Sequence, residues 1–215
     1  MKKIAVVLAG SGVYDGSEIH EATLTLLAVE KFGALYQCFA PDMEQAHVVN
    51  HITGEEMAEK RNVLVEAARI ARGNIKPLSE YNAADYDAII FPGGFGLAKN
   101  LCTFVSDGVD CRVNPDVEKA VRATFAADKP IGALCIAPVL MTKILGDVEV
   151  TIGNDSGVAK AIENMGGKHI EKGHGQIVTD KEHKLVTTPC YMLDATIGQV
   201  EKGTNDLVKK VLELA

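Results

Sequence analysis

The sequence predicts an α/β fold: a three-layer sandwich in which a mostly parallel sheet is flanked by helices. Short apolar runs alternate with helical patterns along the whole chain, as in repeated strand–helix units. The runs at 4–9, 87–91 and 130–134 are almost uninterrupted, which is typical of strands buried on both faces. With 215 residues, 47% of them hydrophobic, the chain is predicted to form a single domain over residues 1–215.

The first half of the chain is predicted to contain three strands and two helices. Ser17 is a good N-cap for the first helix and Gly33 a good stop signal. Residues 42–54 follow no regular pattern, and residues 73–87 are polar and loop-like. In order, the predicted elements are strand 4–9, helix 18–32, strand 35–39, a helix from a capping box at 53–56 to about residue 72, and strand 87–91.

The second half continues the alternation. Asn114-Pro115 is a cap followed by proline at the first helical position, and Gly203 is predicted to break the C-terminal helical segment. In order, the predicted elements are a short helix near 98–104, helix 115–127, strand 130–134, helix 136–145, strand 148–152, helix 156–165, a hairpin of 177–179 with 184–187, and one or two helices from about 193 to 214.

Charge and cysteine usage exclude several functions. The net charge is −7 and Lys and Arg are not clustered, so nucleic acid and membranes are not predicted partners. The apolar run near the start is too short for a signal peptide, so no targeting segment is expected. The five cysteines are scattered, without a CxxC pair. We therefore predict no metal site and no cofactor, and we interpret the cysteines as reduced thiols of a cytoplasmic protein.

Cys135 has the most informative position. A buried strand ends at Leu134 and a helix begins at once, so the residue between them must make a sharp turn, as in a nucleophile elbow. The helix N-terminus is expected to favour the thiolate. A small buried cysteine that only ends a strand is the alternative, and the residues alone leave both interpretations open.

Two glycine-rich turns are further candidates. Phe91-Pro-Gly-Gly94-Phe-Gly96 follows a strand, where backbone N–H groups can approach an oxyanion or where the chain simply turns. Gly10 to Glu21 follows the first strand, and Glu18 and Glu21 lie one turn apart in the next helix. Either glutamate is a candidate acid or base, although glutamates are also common at helix starts.

A dinucleotide site is a weaker hypothesis. Gly10, Gly12 and Gly16 resemble a GxGxxG fingerprint, with Asp42 after the second strand, but the third glycine is one residue late. His20 in the same stretch is a candidate proton partner, and a solvated histidine is the ordinary alternative.

These motifs together resemble the ThiJ/PfpI superfamily, whose fold is flavodoxin-like and class I amidotransferase-like. The resemblance spans the whole chain and is closest to a glyoxalase-like subgroup linked by name to isoprenoid biosynthesis. It is carried by the segments 12–21, 92–96, 135–138 and 187–192. The resemblance implies a nucleophile at Cys135, a glutamate at Glu21 with Glu18 as second choice, and a homodimer. The predicted oxyanion- or substrate-binding residues are Gly94, Gly93, Ile136 and Asn154.

One departure narrows the implied chemistry. Many relatives carry a histidine in the loop after the elbow helix, whereas residues 150–155 contain none. This disfavours amidotransferase or peptidase chemistry, which needs that base. The remaining Cys–Glu pair predicts a glutathione-independent glyoxalase, which converts glyoxal or methylglyoxal, small reactive carbonyl compounds, to glycolate or lactate. The alternative is a weakly catalytic or non-catalytic stress or redox sensor that uses Cys135, possibly with deglycase-like activity.

Overall fold

The structure, a computed structural model, describes residues 1–215 and confirms the predicted sandwich. A seven-stranded sheet runs in the order β3-β2-β1-β4-β5-β9-β8, and only the β8–β9 pair is antiparallel. A second, two-stranded sheet joins β6 and β7. The strands are β1 (Lys3–Val7), β2 (Leu35–Ala40), β3 (Ile75–Pro77), β4 (Ala88–Phe91), β5 (Ile131–Leu134), β6 (Glu149–Val150), β7 (Lys168–His169), β8 (Val178–Asp180) and β9 (Leu185–Thr188).

Helices cover both faces of the main sheet. They are α1 (Ile19–Lys31), α2 (Val63–Ile70), α3 (Phe104–Asp107), α4 (Pro115–Ala126), α5 (Ala137–Leu145), α6 (Ser156–Asn164) and α7 (Ile197–Leu214). Helices α1, α2 and α7 contribute to the apolar core on one face, and α4, α5 and α6 to the core on the other. None of these helices has the length and apolar character needed to cross a membrane.

The alternation of side chains along β1 divides the core into its two halves. Ala5 and Val7 pack on the α4–α5 side, whereas Ile4 and Val6 pack on the α1–α7 side, because successive residues of a strand face opposite ways. The chain leaves β1 toward β2 on one side and later reaches β4 on the other. This reversal of strand order opens a crevice beyond the carboxyl ends of β1 and β4, where ligands bind in such folds.

The first helix begins one residue later than predicted. The expected N-cap, Ser17, instead accepts a hydrogen bond at its Oγ from the N–H of Ala9, at 2.8 Å. Glu18 is the N-cap, and its Oε2 accepts from the N–H of Glu21 at 2.7 Å. The serine therefore holds the loop against the end of β1, and the glutamate takes over the cap.

The helix predicted from the capping box at 53–56 is wrong over its first half. Helix α2 begins only at Val63, capped by Asn62. Residues 44–62 form a loop closed by antiparallel bridges at its base and near its tip. At the tip, Asn50 accepts from the N–H of Ile52, and Gly54 has φ +76°. That left-handed conformation belongs to a turn, so the capping-box residues serve the turn and start no helix.

Three other predicted elements differ in detail. A π-helical turn at 97–101 and the short α3 replace the single helix expected near 98–104. The strand expected at 148–152 is reduced to β6, which pairs outside the main sheet. Gly203 does not break α7, which is continuous. A Cβ at Gly203 would lie 2.6 Å from Thr188 Oγ1, so the glycine permits close packing of α7 on β9.

Candidate active site

The crevice at the carboxyl ends of β4, β5 and β9 brings four segments together. Gly93 and Gly94 follow β4, Cys135 follows β5, Tyr191 follows β9, and Glu21 reaches the same place from the first turn of α1. Parallel strands end at the same edge of a sheet, so residues distant in the sequence meet there.

Cys135 makes the sharp turn that the sequence predicts. Its φ is +59°, in the left-handed region that a non-glycine residue adopts at a cost of about 1–3 kcal/mol. The backbone N–H of Cys135 donates to the carbonyl of Thr188 in β9 at 2.9 Å, which fixes the turn. The residue is 7% exposed and lines a cavity. The strained turn therefore presents the thiol at the floor of an opening.

Glu21 is fully buried and held by backbone donors. Its Oε2 accepts from the N–H of Gly93 at 2.9 Å, and its Oε1 accepts from the N–H of Tyr191 at 3.2 Å. Its carboxyl group lies beside the Cys135 thiol, and each group shifts the pKa of the other. The carboxyl group and the thiol are thus paired in a dry pocket, and the positions of both are set by the main chain.

The two glycines after β4 leave room for this pair. A Cβ on Gly93 would lie 2.4 Å from the Cβ of Cys135 and 2.7 Å from Glu21 Oε2, so any side chain there would occupy the space between thiol and carboxyl. The N–H of Gly94 lies near the sulfur of Cys135 and lowers the pKa of the thiol. Gly94 is thus placed to donate to a charge that develops beside the sulfur, whereas the N–H of Gly93 is already engaged by Glu21.

The charge state of Cys135 differs from the sequence prediction, which expected the helix start to favour a thiolate. Burial, followed by the charge of Glu18, raises the pKa of Glu21 from 4.5 to about 7. Burial, followed by the Glu21 carboxylate, raises the pKa of the Cys135 thiol well above 9.0, although the Gly94 N–H acts in the opposite direction. Near neutral pH the resting pair is therefore a neutral thiol beside a carboxyl group that is poised to accept its proton.

The second candidate glutamate, Glu18, has a different position. It caps α1, lines the cavity, and lies 3.9 Å from His20 Nδ1. His20 Nδ1 is 2.7 Å from the Tyr191 hydroxyl, and the histidine is exposed. Glu21, rather than Glu18, is the carboxyl group beside Cys135, whereas Glu18 lines the cavity and His20 does not.

The glycines of the weak dinucleotide fingerprint are packed against one another. A Cβ on Gly16 would lie 2.2 Å from the N atom of Ser11, and one on Gly96 would lie 2.3 Å from the Cα of Gly16. The loop after β1 is therefore pressed onto the turn after β4. These glycines serve close backbone packing, and their arrangement does not support the nucleotide interpretation.

The cavity above Cys135 has a volume of about 480 Å³. Its lining residues are Val13, Glu18, Gly94, Phe95, Ala98, Phe104, Val105, Cys135, Ile136, Asp155, Val158, Tyr191 and Met192. Of the predicted substrate-binding residues, Gly94 and Ile136 belong to this lining. Asn154 is exposed and does not; the next residue, Asp155, lines the cavity instead. No histidine lines the cavity, consistent with the missing histidine in the loop at 150–155.

Comparison with known proteins identifies the family. The model of the DJ-1/PfpI family matches residues 13–195. The chain belongs to the DJ-1/PfpI family. It is 48% identical to the rat ES1 protein homolog, mitochondrial, across 99% of this chain and 84% of that protein. It is also 48% identical to the human glutamine amidotransferase-like class 1 domain-containing protein 3, mitochondrial, across 99% of this chain and 83% of that protein.

Solved structures of the DJ-1/PfpI type share the fold. The chain is similar to an isoprenoid biosynthesis protein with an amidotransferase-like domain from Ehrlichia chaffeensis, with a TM-score of 0.93, 36% identity and coverage of 100% of this chain and 99% of that one. Glyoxalase III from Candida albicans has the same fold, with a TM-score of 0.63, 15% identity and coverage of 99% and 97%.

The predicted cytoplasmic location is wrong by these comparisons, because the rat and human relatives are both named as mitochondrial proteins. The prediction rested on unpaired cysteines. All five are free in the structure. Unpaired cysteines are typical of a reducing compartment, but they do not distinguish one reducing compartment from another.

Sequence reasoning missed Tyr191 at this DJ-1/PfpI site and gave no role to Cys190, which it placed near the site. Tyr191 donates its N–H to Glu21, and its side chain lines the cavity. Cys190 lies beside the same carboxyl group: it is buried, has φ +44°, and burial and the Glu21 charge raise its pKa well above 9.0. The segment 187–192 carried part of the family resemblance, and that was the available signal for both. No group of three or more His, Cys, Asp or Glu side chains is arranged to hold a metal.

Proposed function

We propose that this DJ-1/PfpI protein is a glutathione-independent glyoxalase in which Cys135 is the nucleophile and Glu21 the acid–base group. One observation carries the proposal: the buried Glu21 carboxyl group, whose pKa is raised to about 7, lies beside the thiol of Cys135, a residue that lines a cavity. A carboxyl group with a pKa near the working pH is suited to move protons in both directions. The resting thiol is neutral, so attack requires an acceptor for its proton, and Glu21 is in contact with it.

The first steps use the pair as nucleophile and base. The sulfur of Cys135 attacks one aldehyde carbon of glyoxal while the Glu21 carboxylate takes the thiol proton and passes it to the carbonyl oxygen, which gives a hemithioacetal. The Gly94 N–H donates to the oxygen as its negative charge develops. The Gly94 contact with the sulfur places that donor beside the reacting carbon.

The later steps return the thiol. Glu21, ionised again, removes the hydrogen on the carbon bound to sulfur, and the resulting enediol is protonated on the neighbouring carbon. This produces a thioester of glycolic acid with Cys135. Water hydrolyses the thioester to glycolate and the free thiol, so that one glyoxal and one water give one glycolic acid.

The decisive experiment is glycolate formation from glyoxal without glutathione. We expect turnover by the wild-type protein and none by Cys135→Ala. Cys38→Ala is the matched control, because Cys38 is a buried thiol in β2 remote from the cavity lining, and it should retain turnover. Inactive wild-type protein, or equal rates for wild type and Cys135→Ala, would refute the proposal.

A second candidate is an oxidation sensor, and the same contacts favour it. Gly94 N–H and a protonated Glu21 both face the sulfur of Cys135, where they would donate to oxygens added to it. Hydrogen peroxide would oxidise the thiol to a sulfenic acid, and a second peroxide would give a sulfinic acid, with one water released each time. Mass measurement at low peroxide dose separates the functions: a sensor gains oxygen selectively on Cys135 while glyoxal turnover is negligible.

A further inference from the structure

The cavity above Cys135 has walls of a definite chemical kind. Apolar side chains form most of it, contributed by the loop after β1, the segment 95–105, the start of α5 and helix α6. Two charged residues line it, Glu18 and Asp155, and both are carboxylates. The Tyr191 side chain completes the lining.

No lysine, arginine or histidine lines the cavity, and two basic side chains that contact lining residues are engaged elsewhere. Lys99 donates to the carbonyl of Tyr14 at 2.9 Å, and its Nζ lies 5.7 Å from the ring centroid of Phe95; it does not line the cavity. His20 is hydrogen-bonded to the hydroxyl of Tyr191. An anionic ligand would therefore lose its hydration beside two carboxylates without gaining a cationic partner, which is unfavourable.

We propose that the cavity selects neutral carbonyl compounds with an apolar substituent of several carbons, such as an aryl group, over glyoxal itself and over anionic carbonyl compounds. This inference rests on the proposed function and names the substrate class for it. A volume of about 480 Å³ lies within the range of ordinary small-molecule sites, and a two-carbon dialdehyde leaves the apolar walls unused. An apolar substituent packed on Phe104, Val105 and Val158 would be removed from water, which favours binding.

The same charges assist product release. A neutral oxoaldehyde with one water becomes a hydroxy acid, which loses a proton to give a carboxylate. The new negative charge forms beside Glu18, Asp155 and Glu21. The cavity therefore binds the neutral substrate better than its own anionic product.

Binding without chemistry tests the charge preference. The Cys135→Ser protein is titrated with acetophenone and with benzoate, a neutral and an anionic probe of similar size, and binding is followed by calorimetry or NMR. We expect acetophenone to bind at least about tenfold more tightly. Asp155→Asn is the matched variant, because Asp155 caps α6 by accepting from the Val158 N–H at 2.8 Å and asparagine is an equally good cap. Loss of the charge should reduce the difference in affinity between acetophenone and benzoate. Equal or tighter binding of benzoate, or no binding of acetophenone, would overturn the inference.

Turnover of substrates of different size tests the preference for a large apolar substituent. It also separates the proposed reaction from the proposed substrate class. Phenylglyoxal should exceed glyoxal in kcat/KM by at least about tenfold, and 4-carboxyphenylglyoxal should be poorly used. If no oxoaldehyde is turned over while the titration gives the expected order, the reaction is wrong and the cavity assignment stands. If glyoxal is turned over but phenylglyoxal is not preferred, the substrate class is wrong and the reaction stands.

Discussion

Two pairs of ionisable groups that shift each other's pKa lie in different parts of this protein. In one, the Cys135 thiol faces the Glu21 carboxyl group. In the other, the Cys102 thiol faces the Cys111 thiol, between the π-helical turn and the start of α4. All three thiols are buried. The neighbouring Cys102 thiol, with Lys143 nearby, lowers the pKa of Cys111 to about 7, and the pKa of Cys102 is raised by Cys111 and by burial.

The difference shows that an ionisable thiol does not by itself mark a reactive site. Cys111 ionises more readily than Cys135, but neither Cys102 nor Cys111 lines the cavity. Cys135 is a poorer thiolate, but it has an opening, a proton acceptor and a backbone donor. The candidate active site is distinguished by a cavity that reaches Cys135 and by a carboxyl group that can accept the thiol proton.

The largest expected effect is on catalysis. Glu21→Gln should lower kcat/KM for glyoxal by about 10²–10⁴-fold, because the amide cannot accept the thiol proton. Wild-type kcat/KM should rise with pH through about 7, as Glu21 ionises, and this rise should vanish in the variant. Cys111→Ser should stay close to wild type in both respects. If kcat/KM of Glu21→Gln rises with pH as it does in wild type, the titrating group is not Glu21.

Paired glycine substitutions should separate geometry from stability. Gly93→Ala places a Cβ 2.4 Å from that of Cys135, so thiol and carboxyl must move apart, and activity should fall by about 10²-fold or more. Gly108→Ala, in the loop of the thiol pair, meets no atom within 4 Å but has φ +56°. It should cost about 1–3 kcal/mol of stability without loss of kcat. Urea unfolding and glyoxal kinetics on both variants make the comparison, and an active Gly93→Ala protein would contradict it.

The buried carboxyl group should also make stability depend on pH. The pKa of Glu21 is raised to about 7 in the folded protein from 4.5, so its protonated form favours folding. This contribution is fully present below about pH 4.5 and is lost as pH rises through about 7. The loss of stability between about pH 5 and about pH 8 amounts to roughly 2–3 kcal/mol. Urea unfolding at both pH values should show a smaller loss in Glu21→Gln than in wild type. Identical losses would mean that the carboxyl group is not buried as described.

The smallest effect concerns the thiol pair. Cys102→Ala removes the neighbouring thiol that most lowers the pKa of Cys111, so that pKa should rise from about 7 toward 9.0. Ultraviolet absorbance of the thiolate, taken as the difference between each protein and its Cys111→Ser counterpart, measures the titration. Glyoxal turnover should not change. A Cys111 titration that is the same with and without Cys102 would show that the two thiols do not interact.

The fold and the elbow could be predicted because their signals are local. Uninterrupted apolar runs marked the strands, and the direct passage from Leu134 to the next helix marked the turn at Cys135. The capping-box pattern at 53–56 was equally local but misleading, because the Asn50–Gly54 turn uses the same residues. A local pattern is reliable only where tertiary contacts do not compete for its groups.

The rest of the site depends on contacts between distant segments. The sequence predicts Glu18 and Glu21 on nearly the same helix face, whereas in the structure Glu18 caps α1 and Glu21 is held by the N–H groups of Gly93 and Tyr191. Tyr191 contributes a main-chain N–H to Glu21, which any residue but proline would supply, so its side chain gave no sign of that role. The thiolate predicted for Cys135 was wrong because burial and a facing carboxylate outweigh the helix start.

Most of the cavity walls are formed by side chains that do not hold the Cys135–Glu21 pair. Main-chain groups of Gly93, Gly94, Thr188 and Tyr191 hold Cys135 and Glu21, whereas side chains such as Phe104, Val105 and Val158 form the walls. Single substitutions of Phe104, Val105 or Val158 are therefore expected to leave the thiol and the carboxyl group in place. Substitutions in the cavity walls can therefore change which substrates fit during evolution, while the arrangement of Cys135 and Glu21 is conserved.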